Sequence, residues 1–366
     1  MGRAPLLTLT DRGLYCPPGD FHIDPWRPVA RAVVTHAHAD HLRWGSSRYL
    51  ISRPGETVTR ARLGPAAVID TAGYGEVVTH NGVSVSLHPA GHILGSAQVR
   101  VEYRGEVWVV SGDYKVGGAD RTCTPFEPVR CHTFVTESTF GLPIYRWADQ
   151  GDLFAEVNAW WRANRDSGKA SLLYCYALGK SQRVLAGIDP GIGPVYTHGA
   201  VERLTEAYRA AGVSLPPTTY AGVPDESGKK VKRQWAGALV LAPPSAHGSA
   251  WVKKFAPYST AVASGWMTIR GTRRRKSVDR GFPVSDHADW PGLLAAVAET
   301  GAERVWVTHG YSAVLVRWLR EKGLDAEAIE TRFEGEAGGE GEEVTVNSEL
   351  PPGSEGDYPS TDPERR

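Results

Sequence analysis

Residues 35–41 read THAHADH and place three histidines and an aspartate directly after the apolar run RAVV. His36 and His38 alternate, so both side chains of an extended segment would point to one side, and Asp40 and His41 follow in a predicted turn. Imidazole nitrogen suits Zn²⁺ and similar cations, and a carboxylate adds a hard oxygen ligand. A lone histidine is more often a hydrogen-bonded or surface residue, but this spacing predicts a metal site at a strand end.

The elements that would position these residues can be predicted from the pattern of apolar residues. Before residue 140, β-branched apolar runs predict strands over RAVVT, GVSVSLH, AQVRVEY, EVWVVSG and TFVTES, with a hairpin through Arg104 and Gly105. From about residue 150, strands alternate with helical periods, which predicts a parallel sheet flanked by helices. The polar stretch PPTTYAGVPDESGKKVKRQW predicts a surface loop.

Further candidate ligands stand at the ends of predicted strands. Asp24 lies in FHIDP, His92 in PAGHILGS, Asp113 in VVSGDYK and His309 in VWVTHG. Each of them alone also fits a turn or loop position. Their joint occurrence in this order resembles the metallo-β-lactamase superfamily of hydrolases, and the resemblance implies an α/β fold, an αββα sandwich with a metal site at the sheet edges.

The segment between Asp113 and His309 resembles one branch of this superfamily, the β-CASP nucleases. It spans well over a hundred residues and carries the strand and helix alternation of their insertion. That branch has an acidic residue after the first half, matched by Glu137 in TESTFG, and a histidine near the end of the insertion, matched by His287 in PVSDHADW. The resemblance implies a metallo-β-lactamase domain over residues 1–145 and 286–330, with a β-CASP α/β domain inserted over residues 146–285.

Roughly residues 5 to 325 are similar to the bacterial ligase-associated DNA exonucleases, a group also labelled messenger-RNA 3′-end processing factors. The similarity is carried by GLYCPPGDFHIDPWRPV, LHPAGHILGSAQVRVE, TESTFGLPIYRW and SDHADWPGL. It implies a DNA substrate, single-stranded or with free ends, and association with an ATP-dependent DNA ligase and a helicase. His309 stands where DNA-acting members often have valine, so RNA is the alternative substrate. A non-catalytic nucleic-acid-binding scaffold is a third hypothesis, which the intact ligand set disfavours.

The resemblance also implies two divalent metal ions, Zn²⁺ or alternatively Mn²⁺, that activate a water for attack on phosphorus. One ion would be held by His36, His38, His92 and Asp113, and the other by Asp40, His41, Asp113 and His309. Asp24 would orient the ligands. His287 would protonate the leaving oxygen, with Glu137 hydrogen-bonded to it; the alternative for His287 is a structural position beside a predicted helix start.

Basic and small polar residues give weaker predictions of nucleic-acid contacts. The segment IRGTRRRKSVDR precedes His287 and contributes Arg273, Arg274, Arg275 and Lys276. Lys180 begins a predicted helix in ALGKSQRVL, and Ser264 lies in ASGWM, a stretch that resembles a late strand end of the insertion. The alternative for the basic run is a solvated loop without a ligand.

Charge is distributed unevenly along the chain, although the formal net charge is +0. Residues 334–366 hold ten acidic residues and two arginines, so they carry −8 and the preceding residues carry +8. Low apolar content predicts that residues 331–366 form an acidic disordered tail. The basic body fits a polyanionic partner. The sequence shows neither an apolar run of about 18 residues nor a signal-peptide core, which predicts a cytoplasmic protein without membrane contact.

Overall fold

A computed structural model describes residues 5–118, 120–222, 235–269 and 277–331, and its strands form three sheets. The first sheet follows the chain order: β1 (Thr8–Thr10), β2 (Gly13–Cys16), β3 (Phe21–Ile23), β4 (Ala32–Val33), β5 (Tyr49–Ser52) and β6 (Ile69–Ala72). The first three strands are antiparallel and the later pairs are parallel. Strand β4 is shorter than the predicted RAVVT because the chain leaves the sheet to form the histidine-rich loop.

The second sheet contains β7 (Val77–His80), β8 (Val83–Pro89), β9 (Ala97–Tyr103), β10 (Glu106–Val110), β11 (Thr133–Ser138), β18 (Arg304–Gly310) and β19 (Asp325–Ala328). Their order across the sheet is β19, β18, β11, β10, β9, β8, β7. Strands β9 and β10 form the predicted hairpin, with φ of 51° at Arg104 and 81° at Gly105. Positive φ at both turn residues matches the right-handed twist of a hairpin.

The helices of the described residues pack on all three sheets. They are α1 (Glu56–Leu63), α2 (Gln150–Asp166), α3 (Lys180–Gly187), α4 (Gly199–Ala210), α5 (Trp290–Thr300) and α6 (Ser312–Glu321). One apolar cluster joins the facing sides of the two sheets, including Leu14 and Ile23 with Val99 and Trp108. Helices α5 and α6 cover the second sheet, and α1 packs on the first. The predicted αββα arrangement is confirmed.

The third sheet is parallel throughout and draws all its strands from residues 170–282. Its order is β14 (Thr219–Tyr220), β13 (Val195–Thr197), β15 (Leu239–Ala242), β12 (Ala170–Tyr174), β16 (Tyr258–Ala263) and β17 (Arg280–Phe282). Helices α2, α3 and α4 pack on one face. The predicted parallel sheet is therefore present, and part of the predicted surface loop forms the exposed edge strand β14. The domain limits at residues 145 and 285 stay predictions.

The loops at the carboxyl ends of the strands meet at one edge of the molecule. The loop after β4 carries His36 to His41, and the loop after β10 carries Asp113. In the third sheet, the segment after β12 leads to α3, and the segment after β17 carries His287. Ligand sites of open α/β sheets lie outside such carboxyl ends. Within the described ranges, no helix has the length and apolar character to cross a membrane.

Candidate metal centre

Three imidazole nitrogens, from the buried His36 and His92 and the half-buried His38, converge on one point at this edge. His38 Nδ1 lies 3.2 Å from His36 Nε2 and 3.0 Å from His92 Nε2. The carboxylate oxygen Oδ2 of Asp113 lies 3.6 Å from His36 Nε2 and 3.8 Å from His92 Nε2. Two nitrogens bound tetrahedrally at about 2.1 Å to one Zn²⁺ would stand roughly 3.4 Å apart. The four side chains therefore have the spacing of a tetrahedral ligand set.

The other ring nitrogen of each of these histidines is hydrogen-bonded to an acceptor, which determines the tautomer. His38 Nε2 lies 3.2 Å from the carbonyl of Leu178, and His92 Nδ1 lies 2.9 Å from the carbonyl of Asp286. A carbonyl can only accept, so both nitrogens carry the proton. His36 Nδ1 lies 3.0 Å from Thr35 Oγ1, whose own proton is donated to Asp24. Three lone pairs thus face one another, an arrangement that a cation would stabilise.

A second group of possible ligands lies on the other side of Asp113. His41 Nε2 is 3.6 Å from Asp113 Oδ1 and 3.7 Å from Asp40 Oδ2, and His309 Nε2 is 3.3 Å from Asp113 Oδ1. The buried Oδ1 accepts no hydrogen bond within the described residues. His41 Nδ1 lies 2.7 Å from Asp24 Oδ2. These donors fit a second divalent cation that shares Asp113 with the first.

Burial and neighbouring charge place the histidines in two different protonation states. Burial lowers the pKa of His36 and His92 well below the usual value, and neighbouring imidazoles lower it further. These rings are therefore neutral, the form in which an imidazole nitrogen can bind a metal ion. Burial acts the same way on His41, but the carboxylates of Asp40, Asp113 and Asp24 outweigh it and raise its pKa to about 10. This side thus carries excess negative charge, which a bound cation would offset.

His287 and Glu137 form a buried pair beside the metal ligands. His287 Nδ1 lies 3.0 and 2.9 Å from the two carboxylate oxygens of Glu137, which also accepts from the backbone N–H of Tyr114 at 2.8 Å. The His287 ring lies 4.6 Å from the His92 ring, centroid to centroid. Burial lowers the pKa of His287, but Glu137 and then Asp113 outweigh it and raise the pKa to about 9. The His287 imidazole therefore favours its charged form.

Left-handed backbone conformations at Asp24 and Gly112 let the ligand loops approach each other closely. Asp24 has a φ of 43°, and its side chain accepts hydrogen bonds from the backbone N–H and hydroxyl of Thr35 at 2.8 and 2.6 Å. Gly112, with a φ of 57°, lies so close to Thr35 that an added Cβ would stand 2.5 Å from its hydroxyl. Such left-handed conformations are uncommon outside glycine, asparagine and aspartate. Asp24 therefore connects the loops after β3 and β4 by hydrogen bonds, and Thr35 packs directly against the loop after β10.

Comparison with known proteins finds relatives over most of this chain. A probable DNA ligase of Opitutus terrae is 31% identical over 321 residues, which cover 87% of this chain and 30% of that protein. Endoribonuclease ysh1 of Aspergillus fumigatus is 27% identical over 202 residues, which cover 53% of this chain and 22% of that protein. The chain thus spans less than a third of the length of these curated relatives. No protein-family profile matches the chain.

A solved structure shares the fold at low sequence identity. The crystal structure of a protein of unknown function from Enterococcus faecalis V583 superposes with a TM-score of 0.57 at 12% identity, over 83% of this chain and 80% of that chain. The relatives, the third parallel sheet and the order of the ligand loops along the chain all indicate the same family. The chain belongs to the β-CASP branch of the metallo-β-lactamase superfamily.

Not every residue predicted for the site of this β-CASP protein lies at a surface that a ligand could reach. Lys180 is completely buried, and its ammonium lies 3.1 Å from Asp286 Oδ1, so it stands behind the metal ligands. Ser264 caps the short turn after β16 by accepting from the backbone N–H of Trp266. Their contacts with nucleic acid stay predictions. Arg273, Arg274, Arg275, Lys276 and the tail after residue 331 lie outside the described residues.

Several residues of this β-CASP site were missed by sequence reasoning. Asp286 directly precedes the predicted His287 and holds His92 through its carbonyl. Leu178 does the same for His38, and Thr308 accepts from His309 Nδ1 at 3.1 Å. Every residue type has a backbone carbonyl, so the sequence gives no signal that would identify Leu178 as the acceptor for His38. The aspartate in SDHADW gave a signal for Asp286, but nothing in the sequence paired it with Lys180.

Proposed function

We propose that this protein is a metal-dependent nuclease that hydrolyses phosphodiester bonds of DNA as an exonuclease. The observation that carries the proposal is the convergence of three imidazole lone pairs beside Asp113, with the His287 and Glu137 pair at the same edge. Hydrolysis of a phosphodiester needs positive charge near the phosphate oxygens and a proton for the leaving oxygen. The two groups of residues would supply these needs from adjacent positions.

The donor atoms divide into two ligand sets that share Asp113. One cation would be held by His36, His38, His92 and Asp113, and a second by Asp40, His41, Asp113 and His309. Zn²⁺ suits the nitrogen-rich set, and Mn²⁺ is the alternative. Bound cations would polarise the phosphate and lower the pKa of a water molecule. Asp24 would act indirectly, because its carboxylate is hydrogen-bonded to the His41 ring and orients it.

His287 would protonate the leaving oxygen. Its Nδ1 is held by Glu137, so the proton available to a substrate is on Nε2. The short distance between the His287 and His92 rings places that proton beside the metal ligands. Glu137 keeps the ring oriented and favours its charged form, and a general acid must carry its proton at the operating pH.

The substrate proposal rests on the relative that covers most of this chain. That relative is named a probable DNA ligase, and the matched region is 30% of its length. A homologous segment inside such a polypeptide supports a role in DNA repair alongside a DNA ligase, with single-stranded or end-containing DNA as substrate. A helicase partner and the contacts predicted for Ser264 and residues 273–276 belong to this proposal through the family resemblance alone.

A ribonuclease is the second candidate. It is favoured by the match to a protein named endoribonuclease over 53% of this chain. The ligand set itself does not separate the candidates, because both hydrolyses act on the same phosphodiester group. A non-catalytic scaffold is a third possibility, which the buried acceptor oxygen of Asp113 disfavours.

The test is digestion of end-labelled DNA and RNA oligonucleotides of one sequence, single- and double-stranded, with and without terminal phosphates, in Zn²⁺ or Mn²⁺. We expect stepwise shortening of single-stranded DNA and slower cleavage of RNA. The matched control is the double variant D40A/H41A, which should be folded and inactive. Faster RNA cleavage would favour the ribonuclease, and binding without turnover in either metal would contradict both enzymes.

A further inference from the structure

Two of the hydrogen bonds that orient the metal ligands come from late in the chain. His38 and His92 belong to the ligand loops of the two packed sheets, but their acceptors are the carbonyls of Leu178 and Asp286. Leu178 follows β12 of the third sheet, and Asp286 follows β17 of the same sheet. The orientation of these two imidazoles therefore depends on where the third sheet sits against the ligand loops.

A buried ion pair joins the two segments that carry these carbonyls. Lys180 lies two residues after Leu178, and its Nζ is 3.1 Å from the Asp286 carboxylate. Both side chains are buried, with exposed fractions of 0% and 1%. The Lys180 ammonium also lies 5.1 Å from the centroid of the Tyr176 ring. Buried ions need their partner because an unpaired one is strongly destabilised, so each member holds the other in place.

The start of α3 packs directly on the loop that carries His92. Arg183 Nη2 donates to the carbonyl of His92 at 3.1 Å and to Asp120 at 2.8 Å. Gly179 has a φ of 88°, and a Cβ there would overlap the Ile93 side chain. There is therefore no free space between α3 and this loop, and a shift of one would move the other.

We propose that Lys180 and Asp286 are positioning residues for the metal centre. Their ion pair holds the acceptors of His38 and His92, so metal binding and docking of the third sheet on the ligand loops stabilise each other. Such coupling is reciprocal, because a ligand that binds the docked state better also favours docking. The inference rests on the metal site of the proposed function and is independent of the substrate.

The first test measures Zn²⁺ affinity by competition with a chromogenic chelator for the parent, K180M, D286N and the double variant. Loss of groups that orient metal ligands weakens affinity by about 10- to 100-fold, and we expect this for each single variant. The double variant should lose no more than either single one, because both act through one pair. R209M is the matched control, since Arg209 pairs with Glu202 on α4 and contacts no ligand.

The inference would be overturned if folded K180M and D286N bound Zn²⁺ with an affinity within about twofold of the parent's. Additive losses of affinity in the double variant would also overturn it. A second measurement needs no variant: hydrogen exchange of the parent with and without Zn²⁺. Removal of the metal should speed exchange of the amides at residues 178–183, and unchanged exchange there would also overturn it. A parent that binds no Zn²⁺ would instead contradict the proposed metal site.

Discussion

Two groups of histidines at the same edge of this protein differ in charge. His36 and His92 have a pKa well below the usual value because of burial. His41 and His287 are equally buried, but their pKa is raised to about 10 and about 9. The difference lies in the neighbours: the first group faces other imidazoles, and the second faces carboxylates. Residue type alone therefore does not determine whether a buried histidine here is neutral or charged.

The largest effect is expected from D113A, because Asp113 contacts both groups. Its Oδ2 lies 3.6 Å from His36 Nε2, and its Oδ1 lies 3.6 Å from His41 Nε2. Without this carboxylate we expect loss of bound metal, measured by atomic emission, and a fall in hydrolysis of at least about 10³-fold, because a metal ion stabilises the transition state by several kcal/mol. D325A is the matched control, since Asp325 is on the exposed edge strand β19. If D113A kept its bound metal and its turnover, the Asp113 carboxylate would not connect the two groups of histidines.

The H287A variant tests whether the charged His287 imidazole supplies a proton to the leaving oxygen. Removal of a general acid lowers the rate by about 10²- to 10⁴-fold, and we expect this for DNA with no change in metal content. On bis(p-nitrophenyl) phosphate the loss should nearly disappear, because nitrophenolate leaves without a proton. The readout is the ratio of turnover on the two substrates. An equal loss on both would assign His287 a structural role.

D24N should reduce Zn²⁺ affinity by about 10- to 100-fold. Asp24 accepts from Thr35 and His41, and an amide nitrogen in place of one oxygen would face a donor. Chelator competition measures the change. D20N is a suitable control because Asp20 is an exposed aspartate that also has a positive φ, 49°. If D24N bound Zn²⁺ as tightly as the parent, Asp24 would not orient the metal ligands.

The smallest effect is expected from T308V, which removes the acceptor of His309 Nδ1 while keeping side-chain shape. One ligand of one cation would lose a single orienting bond, so we expect less than about a tenfold loss of Zn²⁺ affinity. The measurement is the same competition assay, with T331V as control. A loss as large as that of D24N would mean that His309 contributes more to binding than its partly exposed position indicates.

Most elements of the fold were predictable because their apolar periods are strong. The hairpin at Arg104 and Gly105 and the alternation of strands and helices after residue 150 are both present. Strand β4 was overestimated because local β-branched residues continue past the point where the chain turns to form the ligand loop. The edge strand β14 was missed because its residues are polar and pair only through their backbone.

The sequence by itself, through its resemblance to the metallo-β-lactamase superfamily, implied that His36, His38, His92 and Asp113 gather in one site. The physical reason is that residues after strand ends meet at one sheet edge. Only the tertiary structure decided their tautomers and charges, through carbonyls and carboxylates distant in sequence, such as Leu178 and Asp286. The buried position of Lys180 was decided in the same way. These properties depend on distances between segments far apart in the chain, and no local pattern records such distances.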